Sequence, residues 1–176
     1  MNPSMKYLKK LLAIFLLALP LMTTAQANPN FTGHWLIDTT KSTALDPWRS
    51  LELDITVDGD KVSIIRNFGG GTRVAKESMM LDTTIPSQTV EVEGWWDNRH
   101  IGAYLGGGKK QTIAAKWLDE GQTLQLNIEM ILETSQGESP VRVMREMRLS
   151  QDGKTLRVLQ IRSSRNLPIV RVFNRR

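Results

Sequence analysis

The sequence predicts an all-β chain folded as a single antiparallel up-and-down barrel of about 8–10 strands, with a two-sheet β-sandwich as the alternative. Three observations lead there. Apolar and polar residues alternate with a period of two, without a fault from Leu51 to Val57 and from Leu124 to Met130. This is the pattern of half-buried antiparallel strands. Turn signals recur between the alternating runs at intervals of about 10–15 residues, and no helical stretch intervenes, which favours a meander over a crossover topology. An open sheet of that many strands leaves two adhesive edges, and closure removes them.

Residues 1–27 read as an export signal rather than as part of the barrel. Lys6, Lys9 and Lys10 precede the apolar run Leu11 to Leu19, Pro20 breaks it, and Ala25-Gln26-Ala27 forms a small-x-small cleavage site. The run is shorter than the ~20 apolar residues a spanning helix needs. The expected division is therefore a cleaved signal, 1–27, and one barrel domain, 28–176. Removing 27 of 176 residues leaves 149, enough for one core. Losing the three lysines takes the net charge from +5 to +2, which gives no argument for nucleic acid as a partner. The absence of cysteine excludes disulfides, thiolate metal sites, thiol nucleophiles and a lipid-anchoring cysteine. A soluble protein of the bacterial periplasm, or a secreted one, and not a lipoprotein, is the expectation. Charge is unevenly placed: from Pro140 to Arg176 ten Lys/Arg stand against two acids. Either these strands face an anionic partner, or they pair with acidic neighbours across the sheet.

Taken in order, the first strand is 33–38, which carries Gly33-His34-Trp35. The stretch from Thr39 to Ser50 contains Asp46-Pro47-Trp48, an acidic cap followed by a proline, and predicts a helical turn. Strands 51–58 and 61–67 flank Asp58-Gly59-Asp60, where glycine accepts the positive φ of a tight hairpin. Strands 72–82, 88–96 and 100–105 follow, the second alternating from Thr89 to Glu93. Ile113, Ala115 and Trp117 line one face of 110–118. Glu120-Gly121-Gln122 leads into 123–134, and Gln136-Gly137-Glu138 into 140–150. Asp152-Gly153-Lys154 turns the chain into 155–163, and 168–174 closes it. Phe68-Gly69-Gly70-Gly71 and Gly106-Gly107-Gly108-Lys109-Lys110 open no helix and carry no phosphate-loop pattern, so they read as flexible hairpin loops.

Phe31-Thr-Gly-His-Trp35, the Lys41-Ser42 that follows, Asp152-Gly153-Lys154-Thr155-Leu156 and the terminal Phe173-Asn174-Arg175 together resemble lipocalin-like, calycin-type exported bacterial domains. The resemblance implies a ligand-holding barrel whose base is closed by Trp35 beneath a basic residue of the last strand, with Gly33 beside it. Arg171 and Arg175 are the candidates for that basic residue.

Arg145 carries the sharpest expectation. Val141, Val143, Met147 and Leu149 form the apolar face of their strand, and strict alternation places Arg145 on it. Ile169, Arg171 and Phe173 share a face of the last strand. Two inward arginines in an apolar cavity make a carboxylate-binding site. Fatty-acid-binding barrels resemble this, with an Arg-x-Tyr on the final strand; Arg171-Val172-Phe173 has phenylalanine in place of the tyrosine. The alternative is a bulge that turns Arg145 outward, or a last strand that faces Val170 and Val172 inward.

Trp95, Trp96 and Arg99 form a third candidate. Adjacent tryptophans on a strand point to opposite faces, so one packs in the core and the other lies exposed or rims a pocket with Arg99.

No catalytic constellation, metal-ligand spacing or cofactor motif is present, which leans away from an enzyme. His34 and His100 lie far apart in the sequence, and the acids fall on outward strand faces, where they serve solubility. The expected function is binding or carriage of a small lipid-like or carboxylate ligand. Its alternative is a filled, non-catalytic barrel whose outer surface binds an envelope protein. A membrane-spanning barrel is disfavoured by the outward Glu52, Asp54, Glu91, Glu93, Asn127 and Glu129.

Overall fold

The computed structural model describes residues 26–45, 48–91, 93–94, 97–98, 103–105 and 110–176. Its strand segments are β1 (Gly33–Ile37), β2 (Ser50–Asp58), β3 (Lys61–Gly70), β4 (Arg73–Asp82), β5 (Gln88–Glu91), β6 (Glu93–Gly94), β7 (Asp97–Asn98), β8 (Ala103–Leu105), β9 (Lys110–Leu118), β10 (Thr123–Thr134), β11 (Gly137–Leu149), β12 (Thr155–Arg162) and β13 (Ile169–Arg175). All pair antiparallel in one sheet: eleven follow the order β5-β9-β10-β11-β12-β13-β1-β2-β3-β4-β6, while β8 pairs with β10 and β7 with β8. The segment 88–94 bonds to β9 through β5 and to β4 through β6. One stretch of chain thus bridges the two ends of the meander, and the sheet is a nearly closed up-and-down barrel.

Period-two patterning explains why each strand lies as it does. Leu51, Leu53 and Ile55 of β2, and Leu124, Leu126 and Ile128 of β10, are buried on the inner face. Each such side chain contributes about 1.5–3 kcal/mol on burial. The intervening Glu52, Asp54, Asn127 and Glu129 lie on the outer face. There His34 Nδ1 lies 2.5 Å from Asp54 Oδ1, and Asn67 Nδ2 donates to Asp54 Oδ2 at 3.1 Å. These cross-strand pairs help hold the register of β1, β2 and β3.

Ser42 of the Lys41-Ser42 pair, with the next residue Thr43, has a concrete task. Beyond Ile37 the chain leaves the sheet, yet β13 still offers donors to that side. The Val172 amide donates to Ser42 Oγ at 2.9 Å and the Val170 amide donates to Thr43 Oγ1 at 3.0 Å. The Asp38 and Thr43 amides donate in turn to the Val172 and Val170 carbonyls, so hydroxyls and backbone complete the seam together. Of the helical turn expected near Asp46-Pro47-Trp48, residues 46 and 47 lie outside the described residues. The glycine tract at 68–71 differs from the loop expected. Gly69 and Gly70 pair with Val74 and Arg73 within the β3–β4 ladder, and only Gly71 has positive φ, at 66°. A side chain at Gly69 would collide with Ser50 Oγ. The loop 106–109 lies outside the described residues.

Candidate functional site

The base of the barrel is an aromatic plug. Trp35 is fully buried, and its Nε1 donates to the Phe31 carbonyl at 3.1 Å. Phe31 meets Trp117 edge-on, with ring centroids 5.0 Å apart. Arg175 lies over Trp35, with Cζ 4.2 Å from the ring centroid. Of the two candidates for that place, the structure has Arg175 there, not Arg171. The guanidinium donates from Nη1 to the Thr32 carbonyl at 2.7 Å, from Nε to the Gly153 carbonyl at 2.8 Å, and from Nη2 to the Asn30 carbonyl. Gly33 has a steric reason to be glycine, because a Cβ there would lie 2.5 Å from Arg175 Nη1. Arg175→Ala is expected to destabilise the fold by about 1–3 kcal/mol, through lost stacking and charge-assisted bonds. Gly33→Ala displaces the same guanidinium. In a urea-unfolding cycle it should therefore cost much less in the Arg175→Ala background than alone.

Above this plug the interior turns cationic. Arg145 projects inward at 6% exposure, on the face of Val143 and Met147, with no bulge to turn it away. Arg171 reaches the same space from β13, beside the buried Phe173. Two further arginines join them: Arg66 from β3, and Arg162 from the end of β12, which is close enough to perturb Arg145 and Arg171. Among the described residues a single acid, Glu77 of β4 at 3% exposure, accompanies them, and it is hydrogen-bonded to Arg66 Nη1. Gln160 Oε1 accepts from Arg145 Nε at 3.2 Å. Arg145 Nη1 and Arg171 Nε are buried with no hydrogen-bond partner among the described residues.

The electrostatics follow from that inventory. Burial, and then the neighbouring Arg66, push the Arg145 guanidinium down to about 9. Burial, followed by Arg66, Arg145 and Arg162, push Arg171 to about 9. Arg162 falls to about 10, mainly through burial. Buried cations that repel one another are held at a cost, which an anion would relieve. Arg66, Arg145 and Arg171 line one internal cavity together with Leu51, Met147 and Phe173. Its free volume is about 10 Å³, room for about one water molecule.

The expectation that acids lie on outward faces is corrected at Glu77, which packs inward to meet Arg66. Neither residue was singled out from the sequence, nor were Gln160 and Arg162. The same alternation that placed Arg145 would have found Arg66 after Val62 and Ile64, and Glu77 before Met79 and Leu81. Trp95, Trp96, Arg99 and His100 lie outside the described residues. Among the described residues no cluster of three His, Asp or Glu is placed to hold a metal ion. No helix there is long and apolar enough to cross a membrane.

Fold and interior together define a nearly closed antiparallel β-barrel, consistent with a calycin-like fold and compatible with ligand binding. No protein-family model matches the chain, and no curated protein matches it.

Proposed function

We propose that this protein is an exported, soluble binder or carrier of a small amphipathic ligand with an anionic head. The head is held by Arg145 and Arg171, and the tail lies against apolar neighbours such as Phe173. The observation that carries the reading is the excess of buried guanidinium over carboxylate. Among the described residues Arg66, Arg145 and Arg171 line one cavity with Glu77 bonded to Arg66, and Arg145 Nη1 and Arg171 Nε keep unpartnered donors there. Native proteins seldom leave such groups unpaired without use. Native mass spectrometry of protein purified from its own compartment tests this. A bound mass that is lost on denaturation supports it. A bare polypeptide that takes up no added fatty acid or other anionic lipid overturns it.

One observation favours a second reading. The free volume at the arginines is about 10 Å³, too small for a fatty-acid head unless side chains move. A filled barrel whose outer surface binds an envelope protein fits that volume.

Export rests on the leader at 1–27. N-terminal sequencing of the exported protein is expected to start at Asn28. A start at Met1 would remove the periplasmic assignment.

A further inference from the structure

The cavity among the arginines poses a problem of hydrogen-bond sign. Its side chains offer donors from Arg66, Arg145 and Arg171, and otherwise apolar walls that include Leu53, Ile64 and Val158. Arginine has five N–H donors and no acceptor. Among the described residues the one carboxylate nearby accepts from Arg66 at Oε2, and Gln160 Oε1 accepts from Arg145 Nε. A water molecule here would accept from the orphaned Arg145 Nη1 and Arg171 Nε, but it carries no charge to set against the guanidiniums. Buried waters normally make about three hydrogen bonds, as donor and as acceptor. A spherical anion has no hydrogens to place, accepts from every direction and cancels part of the charge excess. The volume is that of about one water molecule, so a monatomic ion needs the least adjustment of the lining, whereas carboxylate, sulfate and phosphate need side chains to move further aside.

We propose that the protein holds a single buried chloride ion between Arg145 Nη1 and Arg171 Nε, as the resident counter-ion of the barrel. Nothing in this depends on a lipid-like ligand. A ligand head, where one binds, takes the chloride's place. Burial first, and mutual repulsion after it, lower both guanidinium pKa values, and the ion would ease the repulsion.

Thermal unfolding at constant ionic strength, with sodium gluconate replaced stepwise by sodium chloride or bromide and no lipid present, tests the site. A saturable rise in Tm on the order of 3–10 °C is expected for a protein of this size. The rise should vanish in the double variant Arg145→Met, Arg171→Met. Equal Tm in chloride and gluconate overturns the proposal, as does a rise that survives in the double variant. Should that variant fail to fold, bromide-soaked crystals of the unaltered protein decide. An anomalous peak in contact with Arg145 Nη1 is expected, and its absence refutes the site. Lipid titrations run in gluconate alone read the carrier function separately, so either idea can fail without the other.

Discussion

Glu77→Gln is expected to destabilise the protein by about 3–5 kcal/mol, the usual consequence of removing one partner from a buried ion pair. Glu77 is buried against Arg66, and it is the one buried acid among the described residues that offsets Arg66, Arg145, Arg162 and Arg171. The loss is a large share of a typical total stability of about 5–15 kcal/mol. Urea unfolding should show a lower midpoint with an unchanged slope, the mark of lost stability rather than a changed unfolded state. The double variant Glu77→Leu, Arg66→Leu should recover most of the loss, because replacing both members of a buried pair with apolar groups is often neutral. If Glu77→Gln unfolds at the same urea concentration as the unaltered protein, Glu77 does not hold the interior charge in balance.

Arg145→Met is expected to separate stability from binding. Methionine keeps much of the volume, removes a buried cation with an unpartnered Nη1 and relieves repulsion from Arg66. In halide-free buffer and without ligand, stability should rise by about 1–3 kcal/mol. Binding of a fatty acid or another anionic amphiphile should weaken by about 2–5 kcal/mol, thirty-fold or more in Kd. A calorimetric titration beside a urea curve checks both halves. A variant that binds as tightly as the unaltered protein would refute Arg145 as the anchor of the head. A variant that is less stable would mean that Arg145 is structurally paired.

Most strands could be read from the order of residues. The expected segments 110–118 and 123–134 coincide with β9 and β10, and the Gly59 and Gly153 turns fall where Asp-Gly placed them. The physical reason is local. In a sheet with one dry face, each side chain's side is set by its parity along the strand, so alternation records burial directly. Arg145 was legible for the same reason, since Val143 and Met147 flank it on its own face.

What the sequence by itself determined is thus the all-β class, the position of most strands and the face on which most side chains lie, while the expected strand 88–96 is divided between β5 and β6 and β11 starts at Gly137 rather than 140. Tertiary structure alone decided how strands distant in sequence meet. Alternation along β13 does not say that Arg175 covers Trp35, 140 residues away, while Arg171 turns to Arg66 and Arg145. Nor does it say that Glu77 answers Arg66 while Arg145 Nη1 is left without a partner. Those outcomes depend on the register of each ladder and on closure through 88–94, which bring β3, β4, β11, β12 and β13 around one interior. Charge balance inside a barrel belongs to the assembled ring of strands, and no single strand carries it.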